Sequence, residues 1–418
     1  MVQSVLGSLT LGYRPLWNAS RHLAGVQLYI QDDPAITVDA PHLLRTLQEL
    51  WSASSPPLLL SPQSRQLLLQ LLQQAPRGSP WIEVRGDWLT DSTLFAAVQT
   101  GHQRGLKLVW RGELAQLPPA DIASCFDNSL LSLSPQDAVT ALQSVAARPP
   151  GSGMQRPAPP PRPSPLIDGQ MYENLPNLAL TSLCLDRHRA VAVAGWPTED
   201  VLYGLRHQPL QPARESVLRL MKAIDAEQSL EAFEHILGEE PLLAYRFMVY
   251  TNSAALGLRT GVDSLRRGLV MMGYGTLQRW LANQLPHASQ DPNLQPIREA
   301  MVLRARLTER LVEAGIEHNL RREVYLTGLF SQLDELLSEP MGTILRRLPL
   351  SDRIADAIVL QTGPYAPALQ MASALEHDDA KVVRTLCETH EMDQESVNRA
   401  LLRVLSDLQV ERPGAHKD

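Results

Sequence analysis

Apolar positions recur along this chain in two rhythms. Up to about residue 145, short apolar runs alternate with segments of helical period. LAGVQLYI at 23–30 is rich in β-formers and reads as a strand. Residues 40–51 then place Leu43, Leu44, Leu47 and Leu50 at helical spacing. The order continues with a short apolar run at 58–60, a Leu/Gln-rich helix at 62–74 and a strand at 81–84. A helix at 90–104, a strand at 106–110 and a helix at 135–145 follow, with two more strands expected at 178–185 and 190–194. Such alternation implies a parallel sheet with crossover helices.

From Pro212 onward the helical period takes over. Residues 215–224 set Val217, Leu218, Met221 and Ile224 on one face. Helices are expected at 229–237, 241–251, 264–272, 275–283, 297–314, 322–337, 341–345, 352–360, 365–375, 378–389 and 394–408. Ser229, Ser264, Ser351 and Asp378 are the expected caps. Gly273 is expected to let two helices meet tightly at a turn. Between the halves runs RPPGSGMQRPAPPPRPSP, where proline removes donors and fixes φ, so it reads as an extended spacer. The predicted plan is an α/β domain over 1–147, a Pro-rich linker or insertion over 148–165, the rest of the α/β domain over 166–208, an all-helical domain over 209–410 and a tail over 411–418.

Composition narrows the function classes. The 418 residues are 44% hydrophobic and 20% charged, enough for two or three folded domains and too apolar for a wholly disordered chain. A formal net charge of −7 argues against a duplex nucleic-acid binder. Cys125, Cys184 and Cys387 are far apart, suggesting neither a zinc site nor a disulfide framework and fitting a reducing cytoplasm. Residues 1–11 lack a signal-peptide pattern, and no apolar run approaches the roughly 18 residues of a membrane helix.

Candidate chemistry is sparse. Glu83 sits between apolar neighbours in WIEV, and a carboxylate on such a strand can face the mouth of a barrel. One carboxylate does not hold a divalent metal. Asp32–Asp33 before Pro34 reads as turn chemistry. His377–Asp378–Asp379 resembles a metal dipeptide but lies between helices, where Asp378 reads as a cap. No glycine-rich phosphate loop or nucleophile elbow is present. The basic pairs Arg266–Arg267, Arg321–Arg322 and Arg346–Arg347 read as solvated helix faces that could meet acidic partners.

PLLAYRFMVYTNSAALGLRTGVDSLRRGLVMMGYGTLQRWL resembles the HDOD domain, with Asn252, Ser253, Ser264, Gly273 and Trp280 at its motif positions. The likeness runs through YLTGLFSQLDELL and PMGTILRRL to about residue 408. The resemblance implies a fold like the HD-superfamily phosphohydrolases without their metal ligands. Ser331 and Gln332 stand where a working enzyme would carry His–Asp.

The first half resembles the EAL domain, the cyclic di-GMP phosphodiesterase barrel. Under that resemblance the metal-binding Glu falls on Gln27, the substrate-facing Arg on Gln31, the ligand Asn on Ser61 and the Asp–Asp pair on Arg111 and Gly112. Only Glu83 keeps a carboxylate. The expected architecture is a degenerate TIM-type EAL barrel followed by a helical HDOD domain; the linker is expected to replace part of the barrel, and the sequence leaves open whether the barrel is complete. The expected function is non-catalytic regulation by contact with a signalling protein, linked to cyclic di-GMP control of motility or biofilm, with no cofactor and no metal. The alternatives are a metal-independent cyclic di-GMP sensor and a residual phosphodiesterase.

Overall fold

The computed structural model describes residues 5–33, 38–146, 163–256, 261–312 and 318–408. Most of the Pro-rich stretch, the far tail and Pro34 lie outside them. Among the described residues, eight strands close into a barrel in sequence order. They are β1 (Leu9–Trp17), β2 (Leu23–Asp32), β3 (Leu58–Pro62), β4 (Trp81–Arg85), β5 (Leu108–Glu113), β6 (Asn128–Ser132), β7 (Met171–Glu173) and β8 (Val193–Ala194). β1 runs antiparallel to both β2 and β8, and the other neighbours pair in parallel.

Two expectations change here. The barrel is closed, because β6 and β7, which carry no strong apolar signal, pair across the Pro-rich segment. The segment therefore interrupts the sequence without replacing a strand. Residues 178–185 form no strand: Leu178–Ser182 is helical, capped by Asn177, whose Oδ1 accepts from Leu180 N at 2.9 Å. Leu180, Leu183 and Cys184 then share one helical face and bury it in an apolar cluster with Trp110, Leu131 and Tyr172.

Strand parity sets the barrel's contents. Leu16, Leu59, Val109, Leu130, Met171, Ala192 and Ala194 form one apolar cluster, with Trp81 packed against it. Two residues further along the parallel strands, the same inward parity delivers Ser61, Glu83, Arg111 and Glu173. An apolar floor therefore carries a polar layer nearer the strands' C-terminal ends. Ile82 and Val84 flank Glu83 on the opposite face and are fully buried, so β4 is enclosed on both sides.

The compact unit containing the barrel takes in the chain to Asp200 together with Glu376–Arg384 and the segment from Asp393. Sequence periodicity alone would leave these late segments with the helical half. Asn398 of the helix Gln394–Ser406 is fully buried. Its Nδ2 donates to Leu6 O and Leu9 O at 2.8 Å each, and its Oδ1 accepts from Leu11 N at 3.2 Å.

The second unit, Val201–Leu375 with Thr385–Met392, is helical. Glu240 caps the helix Pro241–Thr251 and pairs with buried Arg298 at 3.0 Å. The helix Leu265–Gln284 bends at Gly273, whose φ of 68° a side chain rarely adopts. No atom stands within 4 Å of a Cβ built there, so Gly273 supplies a backbone angle and not the tight meeting the sequence suggests. Close approach is the business of Gly268, where a Cβ would lie 2.6 Å from Phe247. One expected cap shifts: Asp379, not Asp378, accepts from the backbone of Lys381 at 3.0 Å. Ser351 does begin the helix Asp352–Ala355, but its hydroxyl donates to Glu323 (2.9 Å) and makes no capping bond.

Candidate functional site

The polar layer inside the barrel is the only place where several of the expected site residues meet among the described residues. Arg111 donates from Nε and Nη2 to the two oxygens of Glu173 at 2.8 and 2.9 Å. Its Nη1 donates to Glu83 Oε1 at 3.0 Å. Glu83 Oε2 accepts from Gln27 Nε2 at 2.7 Å, and the Tyr29 hydroxyl donates to Gln27 Oε1 at 3.1 Å. Ser61 also bonds to Glu83, and Gln63 Nε2 reaches the Ser61 hydroxyl at 3.0 Å. At the rim, Arg14 donates to Asn174 Oδ1 at 3.0 Å and stands 3.7 Å from Glu173.

The carboxylates of the layer are closed to solvent, while Arg111 keeps a partly exposed edge. The side chains of Glu83 and Glu173 are 1% and 4% exposed, and that of Arg111 is 17% exposed. Burial pushes the Glu83 carboxyl up, while the Arg111 charge pulls it down. For Arg111, burial works against the charge, but Glu83 and Glu173 reverse that effect and hold the guanidinium firmly protonated. Each donor around the two carboxylates is already engaged, so the network satisfies itself.

This donor set does not fit a divalent cation. Such an ion takes about six or more oxygen ligands. Here every oxygen of Glu83 and Glu173 accepts a hydrogen bond, and a guanidinium lies between the two carboxylates. The Arg111 charge would repel a cation placed beside it. Among the described residues no cluster of three or more His, Cys, Asp or Glu side chains is arranged to hold a metal.

Of the positions that the resemblance picks out, Gln27, Ser61, Glu83 and Arg111 converge. Gln31 does not join them: its Nε2 donates to the Asp32 carbonyl at 3.4 Å. Gly112 lies on the other face of β5 from Arg111, where a Cβ would press on Trp110 Nε1 at 2.9 Å. Glu173, Tyr29 and Arg14 were not singled out by the sequence. The available signal for Glu173 is the alternation in MYEN, which gives Met171 and Glu173 the same parity.

The motif residues of the helical unit make structural contacts. Asn252 Nδ2 donates to Met248 O and Val262 O at 2.8 and 2.9 Å, and its Oδ1 accepts from Val262 N at 2.7 Å. Ser253 closes on Tyr250 O at 2.7 Å, and Ser264 caps the helix Leu265–Gln284. Trp280 packs edge-on against Phe247 at 5.7 Å. Ser331 Oγ donates to Gly328 O at 2.8 Å, ending the helix His318–Phe330, and Gln332 opens Leu333–Leu337. The expected single helix at 322–337 is thus broken at those two residues.

The basic pairs are largely engaged. Arg266 meets Glu231 at 2.8 Å, Arg322 meets Glu234 at 2.8 Å and Arg347 meets Glu339 at 2.6 Å. No described helix is long and apolar enough to cross a membrane.

No family model matches the chain. Sequence comparison finds the cyclic di-GMP phosphodiesterase CdgJ of Vibrio cholerae, 20% identical over 199 residues, which are 47% of this chain and 46% of that protein. It also finds YuxH of Bacillus subtilis, 21% identical over 198 residues, 46% of this chain and 47% of that protein. The matched stretch spans about half the length of each of these relatives. Among solved structures, the response regulator MmoQ of Methylococcus capsulatus matches with a TM-score of 0.38 and 15% identity, over 46% of this chain and 98% of that one. BlrP1 of Klebsiella pneumoniae, in a manganese and cyclic di-GMP complex, matches with a TM-score of 0.29 and 11% identity, over 46% and 55% of the two chains. In sequence, then, the chain is similar to a protein of cyclic di-GMP signalling.

Proposed function

We propose that this chain is a non-hydrolytic regulator linked to cyclic di-GMP signalling, of the kind that controls motility or biofilm, and that it acts by binding a signalling protein. The sequence similarity to CdgJ supports the signalling link. The observation that carries the non-hydrolytic reading is the Arg111 guanidinium bonded to both Glu83 and Glu173. Cleavage of a phosphodiester at a metal-dependent site needs a cation to polarise the phosphate and activate water. A cation placed at this layer would have to displace a bidentate, buried ion pair. The barrel then serves as a folded platform and the helical unit, with its HDOD-like motif, as the docking partner's target.

The test is titration of the full chain with cyclic di-GMP, with and without Mg²⁺ or Mn²⁺, followed by chromatography of the products. Unchanged nucleotide and no binding heat are expected. Binding heat without product would favour the sensor alternative, and a linear dinucleotide product would overturn the reading.

A further inference from the structure

An amphipathic helix buries its apolar stripe, so large apolar side chains on its outer face need a reason. In the helical unit such side chains gather at two breaks in regular helix. The first lies on Leu265–Gln284. Leu265, Leu269 and Met272 are buried on one face, while Val270 and Met271 point the other way, 62% and 51% exposed. Tyr274 follows the bend at Gly273 and is 53% exposed. A Cβ built at Gly273 or Gly275 meets nothing within 4 Å, so the surface flanking Tyr274 is open backbone. The second break lies where Asp352–Ala355 runs into a π turn, Asp356–Leu360. Ile354 and Ala357 are buried, but the wider turn carries Val359 and Leu360 off that line, and Leu360 is 63% exposed. We propose that these two faces bind each other between copies of the chain: the face of Val270, Met271 and Tyr274 on one copy receives Val359 and Leu360 of the next.

Charge complementarity identifies the occupant. Leu265–Gln284 carries three arginines and no carboxylate. Arg266 is taken up by Glu231 and Glu234, at 2.8 and 3.6 Å, and Arg267 stands 3.6 Å from Asp263. Arg279 reaches the Thr276 hydroxyl at 3.4 Å and meets no carboxylate among the described residues. The other face has the opposite sign. Asp352, Asp356 and Leu360 follow one another at intervals of about a turn, and neither carboxylate meets a cation among the described residues. Arg353, their neighbour, is held by Glu323 at 3.0 Å. A basic apolar face therefore meets an acidic apolar face, whereas two copies of either one would bring like charges together. Such a contact is heterologous, and growth runs head to tail. Both faces are small, so association is weak, with a Kd of roughly 10–100 µM.

Sedimentation velocity of the full chain, from about 1 to about 200 µM, tests this. The sedimentation coefficient should rise with concentration, and less steeply in high salt, which screens the charges. Val270→Glu blocks the first face and Leu360→Glu the second, so each variant alone should stay monomeric. Mixed in equal amounts, the two should form a one-to-one dimer and stop there, because each supplies the face the other has lost. Arg279→Glu should weaken self-association roughly threefold to tenfold, and adding Asp356→Arg to it should restore the association by reversing both faces together. Should either Glu variant fail to fold, this charge exchange decides. The proposal is overturned if the unmodified protein stays monomeric throughout, if Leu360→Glu alone still associates, if the mixture of the two variants stays monomeric, or if the charge exchange does not restore what Arg279→Glu removes. The measurement contains no nucleotide and no second protein, so its failure would leave the cyclic di-GMP reading where it stands.

Discussion

Glu239, in the helical unit, gathers Arg219 at 2.9 Å, Arg306 at 2.9 Å and His235 at 3.2 Å. Burial alone would raise its carboxyl, but the hydrogen bonds and charges of His235 and Arg219 reverse this and bring it down to about 2. A depressed carboxylate stabilises the fold above its unfolded value of about 4.3, and that stability is lost as pH falls toward 2. Allowing for solvent screening, the contribution is about 1–2 kcal/mol at neutral pH. Glu239→Gln should therefore cost about that much at pH 7, and the difference from the unmodified protein should shrink toward pH 2; denaturant unfolding across that range checks it. At this scale the sequence was partly legible. Glu83 stands out in WIEV because a charge between two buried apolar neighbours has to face something polar. Its partner Glu173 was hidden, because a strand of three residues offers too little alternation to read.

Elements follow the same logic of close approach and cap. The helices Gln295–Leu311 and His318–Phe330 touch at Gly328, where a Cβ would fall 2.6 Å from the Ala305 Cα and 2.8 Å from Thr308 Oγ1. Backbone cannot give way as a flexible side chain can. Gly328→Ala should destabilise the helical unit by about 1–3 kcal/mol, read as a lowered denaturant midpoint. Asn252 performs a different task, tying the end of Pro241–Thr251 to Val262 through three hydrogen bonds. Helical periods made most of this unit legible, and Gly273 marked the bend in Leu265–Gln284. What periodicity could not show was which serine caps through its side chain: Ser351 begins its helix, but its hydroxyl is oriented to donate to Glu323, which only the fold brings near.

For the whole molecule, the least legible feature is the return of the chain's late segments to its beginning. Nothing in the amphipathic pattern of Gln394–Ser406 says which unit it covers, yet Asn398 satisfies backbone groups of Leu6, Leu9 and Leu11. Asn398→Ala would leave these buried groups unpaired, and the barrel unit should lose about 2–4 kcal/mol, measured by unfolding monitored on its tryptophans. The alternation of strand and helix announced a parallel sheet, but closure depended on β6 and β7, too short and polar to announce themselves. The same closed barrel carries Arg111 between Glu83 and Glu173, and on that layer the functional account rests. Its most direct test is incubation of the purified full chain with cyclic di-GMP and millimolar Mn²⁺, with the nucleotide followed by chromatography. The account predicts that the cyclic nucleotide is recovered intact at every time point, and a linear dinucleotide accumulating in proportion to protein and dependent on Mn²⁺ would contradict it.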